Sequence, residues 1–375
     1  MNPFVYGEAI AEANFINREK EIIELSRDLV DSQKLFLISP RRYGKTSLLR
    51  KVSGNLKKKK VRVVYIDLFK SPSLEQFVGS FAKALAEIKS VSLEQTIKFI
   101  KDFISSLRPQ FTIEHNGSFS LGIDSLPPKR ETYQTLENLL EYPQKLANKE
   151  KVKVVIMFDE FQEISKLGGE SLEKLIRSVI QHQRDVGYVF SGSKKDTMGE
   201  MVTKRSRAFY GIGPVIYLEK INEQKWVEYL GNTFKKGGFI VGNYVIDKII
   251  SLADNIPYYV QCFAHEIWDL FFEKKKIELN EVDTALLSIV RKNTPTYQML
   301  WDLLPATQRR LLQGLVMSST NNIFAQQFLI RYQLNSPSLV KKSISLLIKK
   351  DIVEKENTNY VFTDLWFSVW IKNTF

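Results

Sequence analysis

With 375 residues, 44% of them hydrophobic and 12% aromatic, the chain holds enough apolar material for two or three domains with real cores, which excludes a disordered protein. Lys and Arg number 54 against 42 Asp and Glu, a formal charge of +12 that favours polyanionic company such as nucleotides, nucleic acid or acidic partners without choosing among them. One cysteine, Cys262, excludes an intramolecular disulfide, and with three histidines (His115, His182, His265) it makes a structural zinc site unexpected. The expected setting is a reducing cytoplasm. The start, MNPFVYGEAIAEANF, has no basic segment before a long apolar core, and no run approaches the roughly 18 apolar residues of a bilayer span.

From Asn17 to Val30, NREKEIIELSRDLV sets Ile22, Ile23, Leu25 and Leu29 at helical spacing, which predicts a helix ahead of the first strand. FLISPRRYGKTSLLR (36–50) then places a tight polar and basic loop between a strand-like run, Leu35 to Ile38, and an apolar-periodic helix opened by Gly44, Lys45 and Thr46. In that context, backbone N–H groups of the loop and helix start can cradle the α/β-phosphates of a nucleoside triphosphate. Lys45 can reach the β/γ-phosphates, and the Thr46 hydroxyl can ligate Mg²⁺. The candidate nucleotide site is therefore Pro40, Arg41, Arg42, Tyr43, Gly44, Lys45, Thr46 and Ser47. One letter departs from GxxxxGK[ST]: Ser39 stands where Gly leads, and its Cβ restricts a turn that Gly makes freely. The basic run Lys57–Lys60 reads as a solvated helix end, and VRVVYIDLF as a second buried strand ending at Asp67.

Residues 70–150 are mostly helical in pattern, except that FTIEHNGSFSLGI (111–123) flanks Asn116-Gly117 with alternating apolar residues, a hairpin inserted in the α/β core. VKVVIMFDE (152–160) is a near-continuous apolar run, as in a parallel strand buried on both faces, and it ends in two carboxylates. Asp159 at the tip would hold Mg²⁺ through water, and Glu160 would polarise the water attacking the γ-phosphate. A helix then leads to a strand at Tyr188, Val189 and Phe190 that ends in Ser191-Gly192-Ser193. VIYLEKI (215–221) reads as the last strand. The pattern turns helical from Asn222 to about Val290, broken at Asn255-Ile256-Pro257, as Pro should break it. ATQRRLLQGLV, AQQFLIRYQL and SPSLVKKSISLLIKK give three more helices, and DIVEKENTNYVFTD two short strands around a polar turn. Three helices and a hairpin make a winged helix.

The pieces in this order resemble the archaeal-type AAA+ ATPases of the STAND and origin-recognition-like group. The motifs that carry it are NPFVYGEAIAEANFINREKEI, SPRRYGKTSLL, FDEFQEI, FSGS, NIPYYVQ and FTDLWFSVWI, spread over nearly the whole chain. The resemblance implies a P-loop α/β parallel-sheet core with a hairpin insertion (1–221), a helical lid (222–292) and a winged-helix domain (293–375). It implies ATP or ADP with Mg²⁺ as ligands. Phe15, Asn17 and Arg18 would lie near the adenine, Asp159 and Glu160 would form the Walker B pair, and Ser191 or Ser193 would sense the γ-phosphate. Pro257 would mark the lid motif facing the nucleotide. Arg205 and Arg207 fall where related ATPases carry an arginine finger, and Arg41 and Arg42 match the family's paired arginines, open between phosphate and a neighbouring domain. Departures are Ser39 in the loop, Asn255 for the Gly that usually leads the lid motif, and the absence of a Pro after Asp364. The expected function is an ATP-driven switch, slow or partner-gated. The alternatives are an ATP-licensed protein binding double-stranded DNA through the winged helix, and an ADP-holding interaction module. The winged helix could equally take a protein partner. No membrane partner is expected, and the oligomeric state stays open.

Overall fold

The computed structural model describes residues 1–7, 15–89, 92–113, 119–123, 128–193, 195–318, 322–356 and 358–375. The chain folds as two compact units, Ala9–Lys220 and Ile221–Phe375, the latter joined by Met1–Glu8.

The first unit runs α1 (Glu19–Val30), β1 (Lys34–Ile38), α2 (Lys45–Lys58), β2 (Arg62–Asp67), α3 (Leu74–Lys89), α4 (Leu93–Ile104), β3 (Pro109–Ile113), β4 (Phe119–Ile123) and α5 (Lys129–Glu150). It continues with β5 (Val154–Asp159), α6 (Ile164–Leu167), α7 (Gly169–Ile180), β6 (Val186–Gly192), α8 (Lys195–Thr203) and β7 (Val215–Tyr217). Five strands pair in the order β2-β5-β6-β1-β7, all parallel. β5 and β6 are buried at every position, which is why their sequences are apolar runs rather than alternations. Phe36, Phe158, Phe161 and Phe190 sit fully buried in the core beside them. β6 lies between β1 and β5, so the loop after β1 and the carboxylates ending β5 flank the end of β6.

β3 and β4 form the separate antiparallel hairpin expected from the sequence, pairing from Pro109 with Ile123 to Ile113 with Phe119. Its Asn116-Gly117 turn lies outside the described residues. β7 is shorter than the stretch 215–221 read as a strand, because the chain turns away after Leu218 donates to the Ile38 carbonyl (2.9 Å) and the Glu219 carbonyl is taken by the Arg18 guanidinium.

The second unit contains α9 (Glu223–Lys236), β8 (Ile240–Val241), α10 (Asn243–Leu252), α11 (Pro257–Leu270), β9 (Lys276–Ile277) and α12 (Leu279–Asp302). α13 (Ala306–Met317), α14 (Gln326–Arg331), α15 (Pro337–Lys349), β10 (Val353–Glu356), β11 (Asn359–Phe362) and α16 (Leu365–Thr374) complete it. Three helices and the antiparallel pair β10-β11 build the winged helix. α16 was not read from the sequence; Asp364 caps it by accepting from the Trp366 N–H (3.0 Å), and it buries Trp366, Phe367, Trp370 and Ile371. The 292/293 division falls within α12, which runs unbroken past Pro295. Asn255, in place of the usual Gly, is left-handed (φ 57°), a conformation Asn tolerates better than most residues.

The N-terminal segment packs on this unit. Phe4 is fully buried, with its ring 4.8 Å from Phe234 and 5.9 Å from Trp268. Asn2 donates to the His265 carbonyl (3.1 Å) and to Asp269 (2.7 Å). Truncating a buried aromatic loses its transfer energy and leaves a cavity, so Phe4→Ala should destabilise this unit by about 3–5 kcal/mol. Calorimetry should show its unfolding transition at lower temperature, and an unmoved transition would mean that the segment adds nothing to the core.

Candidate functional site

The site is assembled at the ends of β1, β5 and β6. After Ile38 the chain enters the loop through Ser39, which is fully buried and keeps a negative-φ backbone. Its N–H reaches the Gly192 carbonyl (3.2 Å) and its hydroxyl the Pro40 carbonyl (3.1 Å). The left-handed positions of the loop are Arg42 (φ 72°) and Gly44 (φ 82°) instead. Ser39 therefore stands where a Cβ causes no backbone conflict, and the departure from Gly is accommodated. Gly44 is the N-cap of α2 and nothing lies within 4 Å of where a Cβ would sit, so backbone conformation rather than space demands glycine. Pro40 and Tyr43 are buried, Arg42 is half-buried and Arg41 is exposed.

Six of the expected side chains converge. Lys45, 6% exposed, places Nζ 2.9 Å from Glu160 Oε1 and 3.9 Å from Asp159 Oδ1. Thr46 Oγ1 donates to Asp159 Oδ2 (2.8 Å), and Ser191 Oγ to Asp159 Oδ1 (2.9 Å). Ser193 Oγ donates to Glu160 Oε2 (2.9 Å). Each serine thus serves a different carboxylate. Ser47 is buried on the first turn of α2.

Three further residues belong here that sequence reasoning did not select. The Tyr65 hydroxyl donates to Asp159 Oδ2 at 2.7 Å. Gln162, 5% exposed, donates to Glu160 Oε2 and accepts the Ser193 N–H at 3.3 Å. Asp67, opposite Asp159 in the β2–β5 register, has its carboxyl pushed up by burial, although the Phe69 N–H opposes this; the nearby Asp159 charge pushes the same way as burial. Tyr65 had one signal, a phenol in an otherwise aliphatic strand, which needs a polar partner when buried. Gly192 is where space decides: a Cβ there would fall 2.5 Å from the Gln162 amide oxygen.

Glu160 occupies a left-handed backbone (φ 51°), a strained conformation for a residue with a Cβ. Burial alone would raise its pKa, but the Lys45 charge and the hydrogen bonds from Gln162, Lys45 and Ser193 outweigh it and hold the carboxyl below its ordinary value. Tyr65 is raised, by burial first and then by Asp159.

The remaining expected residues lie apart from this cluster. Phe15 and Asn17 are half-buried just before α1, and Arg18 is buried, bonded to Glu21 (2.9 Å) and to the Glu219 carbonyl. Pro257 is the first residue of α11, in the other unit. Arg205 is exposed, whereas the Arg207 guanidinium grips the fully buried Glu173 of α7 with two hydrogen bonds, one from Nε at 3.0 Å.

The donor set fits a nucleotide and a hard divalent cation. A loop with left-handed Arg42 and Gly44 precedes the N-terminus of α2, a buried ammonium follows, and the Thr46 hydroxyl and Asp159 carboxylate converge as oxygen ligands of the type Mg²⁺ takes. Together with strand order β2-β5-β6-β1-β7 and the winged helix, this defines a P-loop ATPase of AAA+ type. Residues 15–262 match a family of ATPase domains found predominantly in Archaea, and residues 295–373 a probable winged helix domain. The first match spans more than half of the chain, and the chain belongs to that family. Among solved structures, a Walker-type ATPase of Pyrococcus abyssi is 18% identical, with 99% of each chain covered and a TM-score of 0.64. The ORC2 protein of Aeropyrum pernix, in ADPNP–ADP complexes, is 13% identical over 99% of this chain and 96% of that one, with a TM-score of 0.57. At such identities these likenesses establish the fold. No curated protein sequence matches the chain. Among the described residues no helix is long and apolar enough to cross a membrane.

Two outcomes test the geometry. Because the Glu160 carboxyl is held below 4.5, its ordinary value, its ionised contacts contribute stability that is complete above that pH and is lost as pH falls through the lowered value. The stability gap between wild type and Glu160→Gln should narrow on acidification below 4.5, measured by denaturant unfolding across pH; a constant gap would remove the charge-based account. Separately, Arg207→Ala strands a buried carboxylate and should cost about 3–5 kcal/mol in unfolding free energy. Arg205→Ala, at an exposed position, should change it by less than about 0.5 kcal/mol.

Proposed function

We propose that the protein binds ATP with Mg²⁺ and hydrolyses it to ADP and phosphate, using the change of nucleotide to switch its conformation. The observation that carries this reading is the Lys45–Glu160 contact beside the Thr46–Asp159 contact, which sets a phosphate-binding cation, a base and a metal-ligand pair within one hydrogen-bonded cluster. In this reading Lys45 exchanges Glu160 for the β/γ-phosphate oxygens. Glu160, released from its ion pair but still held by Ser193 and Gln162, orients a water and accepts its proton. Thr46 and Asp159 hold Mg²⁺, which supplies charge neutralisation on the phosphates. Ser191, bonded to Asp159, keeps that carboxylate oriented, and Tyr65 does the same from β2.

Phe15, Asn17 and Arg18 are assigned to the base end of the nucleotide, and Pro257 to a lid within 222–292 that closes on the 1–221 core and moves the winged helix of 293–375. Turnover is slow or partner-gated, in a cytoplasmic setting. Pairing with Glu173 favours a structural role for Arg207 over that of a finger, which leaves exposed Arg205 as the arginine able to serve a neighbouring subunit. The ordinary backbone at Ser39 weighs against the ADP-holding reading, whose motive was that residue.

A second reading has its own observation. The outward face of α15 carries Ser338, Lys341, Lys342, Ser345 and Lys349, all exposed, over buried Val340, Ile344 and Leu347. Such a face suits phosphate contacts with double-stranded DNA more than base reading, since it has no Arg, Asn or Gln for bidentate pairing. Duplex affinity should then fall steeply with salt, and absence of binding at low salt would favour a protein partner.

Lys45→Ala should abolish tight nucleotide binding in a folded protein, measured by calorimetry; retained ATP affinity would sink the phosphate-loop assignment. Glu160→Gln should keep binding and slow phosphate release by roughly 10²-fold or more, since shape is preserved and the base is lost. Wild-type turnover would mean that another residue activates the water.

A further inference from the structure

Away from the phosphate loop, a groove of about 640 Å³ runs along the free side of β2. β2 ends the sheet order, so only β5 pairs with it. Arg62 donates to the Lys153 carbonyl on the β5 side (3.0 Å), and by the alternation of a parallel ladder the N–H and C=O groups of Val63 and Tyr65 point outward. Helices α2 and α3 both pack on β2, so the side chains of Val63 and Val64 are buried and what the groove leaves open is the strand edge itself. Natural sheets blunt or cover long edges, because unpaired backbone groups are a template for another strand.

The chemistry of the groove selects its occupant. Lys57 and Lys60, both exposed, stand at one wall together with Arg62, whose guanidinium also reaches Glu150 (3.3 Å). Among the charged lining residues only Glu87 opposes them, and Ala84 and Ile88 supply apolar contact from α3. We propose that the β2 edge is a docking site for an extended, acidic peptide segment of a partner protein, which adds as a sixth strand outside β2 and sets its carboxylates against Lys57, Lys60 and Arg62. Main-chain hydrogen bonds to Val63 and Tyr65 supply register, and the cations supply selectivity for acidic residues. Tyr65 belongs both to this edge and to the Asp159 hydrogen bond, so a docked strand bears on the Mg²⁺ ligand through one side chain. That coupling rests on the nucleotide reading above; the docking does not.

The test uses the full chain and a fluorescein-labelled peptide of four Glu-Val repeats, followed by anisotropy without nucleotide. Saturable binding is expected, weakened at least tenfold by Lys57→Glu/Lys60→Glu, exposed positions whose reversal spares the core. A matched Lys-Val peptide should not bind, and neither should the acidic peptide with two inner Val residues replaced by Pro, which removes the N–H groups a strand needs. Equal binding of the Pro peptide would overturn strand addition, as would no binding of the acidic peptide at low salt or its complete displacement by a duplex oligonucleotide. Self-association of the chain abolished by the same charge reversal would assign the edge to a second copy and overturn the proposal as well. For the coupling, bound peptide should shift ATP affinity in wild type and leave Tyr65→Phe unshifted. A shift retained in Tyr65→Phe, or absent from a wild type that binds ATP, would sever the coupling while the anisotropy still judges the docking.

Discussion

Two carboxylates at the end of a fully buried strand are the constraint on which the first unit is built. Asp159 is 2% exposed and Glu160 follows it in a strained backbone, so neither can be left to solvent for compensation. Isolated charges in such a place cost several kcal/mol each unless paired and hydrogen-bonded. The surrounding fold supplies those partners from four segments: Lys45 and Thr46 from α2, Tyr65 from β2, Gln162 from the turn after β5, and Ser191 and Ser193 from the end of β6. The strand order is what makes this possible. Only with β6 inserted between β1 and β5 can one serine reach each carboxylate while the loop after β1 approaches the same point.

The two acids are not equivalent, and their environments sort their roles. Asp159 receives three hydroxyl donors and its nearest ammonium stands 3.9 Å away, a setting of neutral dipoles suited to an oxygen ligand for a hard cation. Glu160 receives the ammonium directly, together with an amide and a hydroxyl, and is held in its charged form against burial. A group kept ionised in a dry site is a competent proton acceptor once its counter-ion is drawn elsewhere.

Much of this was readable from the residues because each strong signal is local. The buried runs of β5 and β6, the strand-loop-helix context of Lys45, the proline that opens α11 and the paired short strands of the wing announce themselves over a few positions. What escaped needed three dimensions. Tyr65 and Gln162 gain their meaning from which carboxylate they face, and Arg207 from a glutamate 34 positions away on α7. α16 escaped for another reason: its aromatic run WFSVW carries little helical periodicity, since the helix is covered on most sides by α12 and α13. The strand β7 was overextended because VIYLEKI has strand-like composition, while a buried arginine on another segment claims the carbonyl that would have continued the ladder.

The Lys45–Glu160 pair also sets a competition that bears on how the protein behaves between cycles. In the arrangement described, the cation meant for phosphate and the base meant for water neutralise each other at 2.9 Å, and the side chain of Lys45 is almost wholly buried. A polyphosphate entering the loop must break that pair, so part of its binding energy goes into freeing Glu160 rather than into affinity. Binding and readiness of the base are thereby linked: whatever lowers the cost of separating the two side chains raises nucleotide affinity and exposes the base together, and whatever stabilises the pair suppresses both. A weakly turning-over resting protein follows from this contact alone, with Ser193 and Gln162 ensuring that Glu160, once freed, stays within the site instead of rotating to solvent.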